Sequence, residues 1–523
     1  MSNLTVLIPT AGLGTRLGNL TKKFNKSLID INYKPAISHI IESFPKKTTF
    51  VIALGYEGEL VKQYLKIAHD DINFKFVKVK YFKGNKSGLG RSLYDVKHLL
   101  QKPFFFVPCD TIPQKIKNFQ KQNIIYYKEI NNNGNYRSIS IFKNNLSKVF
   151  EKNKLKKKIN AYSGILKIHN YKAFWRNADI HNRKFLKQGE TFLINKMLSQ
   201  KIRIKSKKIS WLDTGNLGSL NKIIGKNTNL NILPKEYEKI YFVNNKVIKY
   251  FKDKKIVKNR VLRSKKLVNF VPKIIKSNEN FYLYRKINYK VFSNKISLKN
   301  FKQLLEFSKK FWKIKKLNNT EYENFKKKCK IFYKDKTYMR IKQFISKYNF
   351  KFDNYDINNK KIDKINYLLK KIDWNYLAKG QACRFHGDFH FENILFNQKK
   401  FILLDWRQEF QGNTTYGDIY YDLSKLMHGI LVPHYSVSKN LFKISKTKKK
   451  FLISIKKDPK LMNIEKYYKR WLKINNFSYK KVMILTGLIY LNISPLHHYP
   501  YSYFLYLYGK LIISKELNDC GET

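Results

Sequence analysis

Two polar signatures of different chemistry stand near opposite ends of this chain, and each requires its own fold. Near the start, Thr5-Val6-Leu7-Ile8-Pro9 runs into Ala11-Gly12-Leu13-Gly14-Thr15-Arg16-Leu17, with Asn25-Lys26-Ser27-Leu28 following. Near the end, His386-Gly387-Asp388-Phe389-His390-Phe391-Glu392-Asn393 precedes Leu403-Leu404-Asp405-Trp406. An apolar strand feeding a glycine turn offers backbone N–H groups to phosphate. The first signature therefore reads as a candidate site for the phosphates of a nucleotide. The second reads as a place where a γ-phosphoryl group is handed to an alcohol, with Asp388 facing the hydroxyl and oxygen donors downstream. One hydrophobic core rarely supports 523 residues, so two or three domains are expected.

Charge and cysteine usage narrow the class. The net charge is +70, from 106 Lys+Arg against 36 Asp+Glu. Such an excess suits nucleic acid or an anionic membrane surface. Here the lysines are spread over the whole chain alongside abundant Asn, Ile, Tyr and Phe, the pattern of an A+T-rich coding sequence. No helix-turn-helix, RNP or zinc pattern supports specific nucleic-acid binding. Cys109, Cys329, Cys383 and Cys520 have neither metal-ligand nor redox spacing, which predicts a reduced, cytoplasmic protein. The run Leu4–Pro9 is too short for a signal peptide, and Val482–Ile493 is too short to span a bilayer and reads as a buried helix. No membrane insertion is expected; a homo-oligomer is compatible with the sequence.

Hydrophobic periodicity sets the organisation. Leu4–Pro9, Thr49–Leu54, Phe74–Tyr81 and Phe104–Val107 read as strands; Ala36–Phe44 and Leu60–Ile67 carry helical spacing. This alternation predicts an α/β fold, a Rossmann-like mostly parallel sheet covered on both faces. A Lys/Asn-rich stretch from Asn221 to Lys235 has little apolar pattern and marks a boundary, giving domains 1–228 and 229–523. The second opens with a small β-rich lobe (about 236–290): Ile240–Val243 and Val247–Phe251 flank the hairpin signal Asn244-Asn245-Lys246, and Phe281–Arg285 is a further strand. From about 291 to 523 the pattern is helical, with a short strand near Phe401–Leu404.

The N-terminal residues resemble the sugar-phosphate and phosphocholine nucleotidylyltransferases, whose signature is G-x-G-T-R-L followed by a lysine. Further segments appear in the family's order: Pro108-Cys109-Asp110, Glu151-Lys152, the turn Ala161-Tyr162-Ser163-Gly164, and Trp211-Leu212-Asp213-Thr214-Gly215. The resemblance implies nucleotide contacts at Ala11, Gly12, Gly14, Thr15 and Gly88, and catalytic charge at Arg16 and Lys26. It implies magnesium on Asp110 and Asp213, and substrate contacts at Lys152, Gly164 and Glu190. Attack by an already ionised phosphate needs no general base, only neutralisation of the charge on three phosphates. Taken alone, Lys152 reads as one more solvated lysine.

The pattern H-G-D-x-x-x-x-N…D-W resembles the aminoglycoside phosphotransferase and choline kinase families, relatives of protein kinases, which implies a bilobal kinase-like domain. By that resemblance Asp388 is the catalytic base, Asn393 and Asp405 hold magnesium, and His386 steadies the loop. Gly417-Asp418-Ile419-Tyr420-Tyr421-Asp422-Leu423 resembles the helix that supports this loop, with Asp418 shaping the acceptor site. Lys249 fits the strand lysine that contacts nucleotide phosphates. The small lobe departs from the pattern: Ile256–Leu267 has no glutamate to pair with Lys249, and Asn244-Asn245 stands where a glycine-rich loop is usual. Glu236 or Glu238 would be its substitute partner.

Together the two resemblances imply a bifunctional enzyme. One half would phosphorylate a small sugar or alcohol with ATP and Mg²⁺; the other would join NMP to the phosphomonoester from a second NTP (CTP, UTP or dTTP). Trp211-Leu212-Asp213-Thr214-Gly215 favours the sugar branch over choline-type acceptors.

Overall fold

The computed structural model describes residues 4–116, 121–131, 134–152, 157–224, 237–350, 355–447 and 450–518, and structural counts refer to these. The chain forms two compact units. The first comprises Met1–Lys254 with Ile275–Lys286, and the second Lys255–Ile274 with Ile287–Thr523. The expected boundary at residue 228, together with Glu236, lies outside the described residues.

In the first unit, alternating apolar runs give strands β1 (Thr5–Pro9), β2 (Thr49–Leu54), β3 (Asn73–Lys78) and β4 (Phe104–Phe106), interleaved with helices α1 (Ala36–Glu42), α2 (Gly58–Ala68) and α3 (Leu89–Val96). The short β5 (Thr111–Pro113) leads to β6 (Ile124–Asn131), β7 (Ser138–Phe142), β8 (Asn145–Phe150) and β9 (Lys158–Ile168). Helices α4 (Arg183–Gln188) and α5 (Glu190–Ser199) precede β10 (Lys205–Lys208) and β11 (Trp211–Asp213).

Nine strands make one sheet in the order β3-β2-β1-β4-β9-β6-β10-β8-β7. It is parallel across β3-β2-β1-β4 and between β6 and β10, and antiparallel elsewhere. Strand alternation sends Val6, Ile8, Phe50 and Ile52 to the face covered by α1 and α2. Leu7, Val51, Ala53 and Phe106 point to the face covered by α3 and α5. Both faces are buried, as parallel strands require.

The expected hairpin forms as β12 (Glu238–Val243) and β13 (Lys246–Phe251), with Asn244 and Asn245 both at positive φ. That is the backbone a two-residue turn needs to match strand twist. After α6 (Lys254–Lys266), strands β14 (Ile274–Ser277) and β15 (Phe281–Arg285) complete a four-stranded sheet in the order β12-β13-β15-β14. Sequence reading placed this sheet in the second domain; its strands group with the first unit. The reason is apolar burial. Tyr241, Ile248, Phe281 and Leu283 join the α1–α2 core, where Tyr64 stacks edge-on against Tyr241 at 5.4 Å.

The second unit is mainly helical. Its principal elements are α7 (Leu298–Phe311), α8 (Lys336–Tyr348), the hairpin β16 (Ile394–Phe396) and β17 (Phe401–Leu403), α9 (Ile419–Leu431), α10 (Pro459–Ile474), α11 (Tyr479–Ile493) and α12 (Tyr501–Asn518). The run Val482–Ile493 lies inside α11 and is buried, as expected, apart from its last residue. Among the described residues no helix is long and apolar enough to cross a membrane.

Candidate active sites

The N-terminal site grows from the end of β1. Asn25 donates to the carbonyls of Thr10 and Tyr56 and accepts from the Ser27 N–H, so it fixes the segment that carries Lys26. Gly14 sits at φ +71°, where a Cβ would press on Thr21 and Lys26 at 3.0–3.2 Å. Gly12 differs: a Cβ there meets nothing within 4 Å. The protein's own packing does not demand that glycine, whereas close approach of a ligand to the backbone would.

Asp110 and Asp213 come together through one strand pair. β5 runs antiparallel to β11 with Thr111 opposite Asp213, and the Thr214 N–H donates to the Asp110 carbonyl at 2.9 Å. Both carboxylates converge on Gly215, where a Cβ would lie 2.9 Å from Asp110 Oδ2 and 3.1 Å from Asp213 Oδ1. Lys26 Nζ reaches Asp110 Oδ2 at 2.9 Å. Burial would raise the Asp110 carboxyl, but Lys26 and Arg16 hold it below its usual value. Against its own burial, Lys26 is held above its usual value by Asp110. Tyr136 Oη and Asn216 Nδ2 donate to Asp213 Oδ2 at 2.8 and 3.1 Å.

Lys152 is exposed yet within electrostatic reach of Arg16, Arg137, Asp213 and Asp110. Arg137 links its neighbour Glu151 (3.2 Å) to Glu190 (3.5 Å). Burial pushes Glu190 up to about 7 against the Arg137 guanidinium, and its Oε2 has no partner. Gly164 stands not in a turn but within β9, at φ +85° beside a register shift, where a Cβ would lie 2.5 Å from Pro108 Cγ. It lets β9 pass close to the strand end that presents Asp110. Gly88 is the N-cap of α3, and a Cβ there would lie 2.2 Å from the Leu186 carbonyl oxygen.

The second site is a rigid loop. His386 is fully buried and neutral, because burial pushes it down to about 3. Its Nε2 lies 2.8 Å from the Leu404 carbonyl, and the Asp388 N–H donates to Nδ1 at 3.2 Å. Asp422 accepts the N–H groups of His386 and Gly387, both at 2.7 Å, and Trp312 Nε1 at 3.0 Å. Burial pushes this carboxyl up to about 6 against those donors. Asp388 takes Lys425 Nζ on Oδ1 at 2.8 Å and Asn393 Nδ2 on Oδ2 at 3.0 Å. Burial would raise Asp388, yet Lys425 and His390 hold it well below the carboxylate range, so it stays ionised.

Asp405 sits at φ +55° and pairs with Arg260 of α6 at 3.3 Å. The Leu404 N–H donates to the Asn393 carbonyl at 2.7 Å, which ties the two expected metal ligands together. Asp418 is not brought to Asp388. It is fully buried at the start of α9, accepting from the Gln381 and Tyr420 N–H groups and from Tyr333 Oη. Lys249 is 5% exposed in the middle of β13, opposite Ile240 and Tyr282.

Both donor sets suit a hard ion. Asp110 with Asp213, and Asn393 with Asp405, offer only oxygen, which fits magnesium completed by phosphates and water. Among the described residues no three His, Cys, Asp or Glu side chains cluster as a metal cage. Sequence reading missed Asn25, Tyr136, Arg137, Arg260, His390, Arg407 and Lys425. Asn25 and His390 stand inside the quoted motifs and Arg407 directly follows one, so these were open to view; the others are set by contacts distant in sequence.

Residues 349–434 match the profile of the Phosphotransferase enzyme family, so the C-terminal region carries a kinase-like domain. The N-terminal region matches nucleotidylyltransferases. The D-glycero-alpha-D-manno-heptose 1-phosphate guanylyltransferase of Campylobacter jejuni is 27% identical over 159 residues, 29% of this chain and 71% of that protein. The solved CTP:phosphocholine cytidylyltransferase of Streptococcus pneumoniae aligns at 19% identity and TM-score 0.36, covering 43% of this chain and 98% of that one. A UDP-glucose pyrophosphorylase of Acinetobacter baumanii aligns at 12% identity and TM-score 0.35, covering 42% and 92%.

Proposed function

We propose that this chain catalyses two consecutive steps: ATP-dependent phosphorylation of a small sugar or other alcohol, then transfer of NMP from an NTP to the phosphomonoester. The observation that carries the reading is that each region gathers its own polar set around an ionised aspartate, Asp110 with Lys26 and Asp388 with Asn393.

In the first step the acceptor oxygen attacks the γ-phosphorus of ATP. The new O–P bond forms as the bond to the β-phosphate oxygen breaks, ADP leaves, and Asp388 takes the hydroxyl proton. Asp422 and His386 keep that carboxylate in place through the loop backbone. In the second step an oxygen of the phosphomonoester attacks the α-phosphorus of the NTP, a phosphoanhydride forms and pyrophosphate leaves. Lys26 and Arg16 balance the charge on the triphosphate, while Lys152 and Arg137 receive the incoming phosphate. Asp110 and Asp213 would hold one magnesium ion, and Asn393 with Asp405 another; bound there, each supplies positive charge to phosphate oxygens.

The finer reading is a sugar kinase coupled to sugar-1-phosphate activation, whose nucleotide sugar feeds surface polysaccharide or lipid assembly. The match to a guanylyltransferase adds GTP to CTP, UTP and dTTP as candidate donors. The test is incubation of the protein with ATP, each of these NTPs and a panel of acceptors, with products read by mass spectrometry. Nucleotide-linked product from an unphosphorylated acceptor supports the reading. Absence of both phosphorylated and nucleotide-linked product across the panel refutes it.

A further inference from the structure

Cations crowd the kinase-like site on one side of Asp388. Asn393 contacts Oδ2, the side of the expected metal ligands, while Lys425 of α9 contacts Oδ1. Beyond Lys425 lie Lys336 and Arg340, one turn apart on α8, and Arg407, two residues after Asp405. Lys336 Nζ is 4.5 Å from the centroid of Phe332, and the Arg407 guanidinium is 4.7 Å from the same ring. Arg407 also runs along the catalytic loop, where a Cβ on Gly387 would lie 2.5 Å from Arg407 Cβ.

Lys336 is within electrostatic reach of Arg340, Arg407 and Lys425, Arg407 is within reach of Arg340 and Lys425, and Asp388 is the carboxylate that offsets the repulsion at Lys336. Asp388 is already paired with Lys425, and the neighbouring Glu392 is paired with His390. Among the described residues Lys336, Arg340 and Arg407 form no ion pair, and Arg340 Nε is buried without a partner. In a chain of this composition a solvated lysine means nothing. Half-buried like charges converging beside a catalytic carboxylate that is already paired, with no ion-pair partner of their own, are costly unless a ligand supplies one.

We propose that the alcohol phosphorylated at this site carries an anionic group of its own, a carboxylate or a phosphate, held by Lys336, Arg340 and Arg407 while Asp388 faces its hydroxyl. The inference rests on the kinase reading and specifies its acceptor. It disfavours quaternary ammonium alcohols, which these cations would repel, and it gives the phosphorylated product two anionic groups.

The test uses the intact protein with ATP and magnesium, following phosphorylated product for four acceptor sets: neutral hexoses, hexuronic acids, hexose phosphates and choline. Product from the uronic acids or the hexose phosphates, with neutral sugars and choline at least tenfold poorer in kcat/KM, is the expected result; the better anionic arm names the group. Lys336→Gln and Arg340→Gln should raise the KM of that acceptor by about 10- to 100-fold, the scale of a lost charge-assisted contact. The KM for ATP should hold, and Arg340→Lys should recover part of the loss. Neutral sugars or choline phosphorylated as well as any anionic acceptor would overturn the inference while leaving the kinase reading intact. No phosphorylated product from any acceptor would overturn the kinase reading, and the inference with it.

Discussion

Replacing Gly12 by alanine separates what a glycine does for the fold from what it does for a ligand. The added methyl meets no atom within 4 Å, and Gly12 does not adopt a left-handed φ. Folding stability should therefore change by no more than about 0.5 kcal/mol. If the triphosphate lies over the Ala11–Gly14 backbone, the methyl intrudes on its oxygens. Overpacking of that kind costs about 1–3 kcal/mol, or about 5- to 150-fold in affinity for the NTP. Gly164→Ala is the contrasting variant: its methyl lies 2.5 Å from Pro108 Cγ at φ +85°. Strain and overpacking together should cost about 2–5 kcal/mol of stability. Urea unfolding gives the stability arm, and initial rates of pyrophosphate release against NTP concentration give the binding arm. ADP formation by the kinase site serves as the internal control. An unchanged KM for NTP in Gly12→Ala would refute the placement of the triphosphate over this turn, and equal destabilisation by both variants would refute the packing argument.

Three more outcomes follow from the site geometry. Asp110→Ala should abolish pyrophosphate release while ADP formation stays within about twofold, since the two polar sets share no residue; a parallel loss of both in folded protein would contradict the two-site assignment. Asp388→Asn should block nucleotide-linked product from the unphosphorylated acceptor, and supplying the phosphorylated acceptor should restore it; failure of that rescue would mean the sites do not act in sequence. Burial would lower His390, but Asp388 and Glu392 raise it to about 9 from an ordinary 6.5. The folded state thus binds this proton more tightly, and the stabilisation is full below pH 6.5 and lost as pH rises through 9. With Asp388 38% exposed, solvent screening reduces the effect to about 1–2 kcal/mol. The difference in urea midpoint between wild type and His390→Gln should shrink from pH 6.5 to 9.5, and a constant difference would rule the linkage out.

Elements with strict periodicity were legible in the sequence: β1, β2, the β12–β13 hairpin and α11 lie where alternation or apolar length put them. The convergence of Asp110 and Asp213 followed from motif order, because a strand end and a strand–turn segment fix both carboxylates locally. Other features were hidden for physical reasons. Asp418 and Asp422 stand one helical turn apart on α9 with the same chemistry, and only the packing of the loop on the helix decides that Asp422 reaches His386 and Gly387. Lys425 meets Asp388 through a fold contact, and in a lysine-rich chain no local signal distinguishes it. Gly164 read as a turn because glycine commonly marks one; the structure uses it for clearance inside a strand.

The path of the chain between the two compact units changes what a cut would do. It leaves the first unit after Lys254, returns at Ile275 and departs again after Lys286. A polypeptide broken between residues 228 and 229 would lose its covalent link there and keep the layer in which Tyr241 and Phe281 pack on Tyr64, with Ile248 and Leu283 in the same core. The two pieces would copurify as a complemented pair until denaturant parted them. Produced alone, residues 1–228 would lack that layer, show the apolar face around Tyr64 to water and tend to aggregate, so a silent fragment would report a missing wall rather than a missing active site.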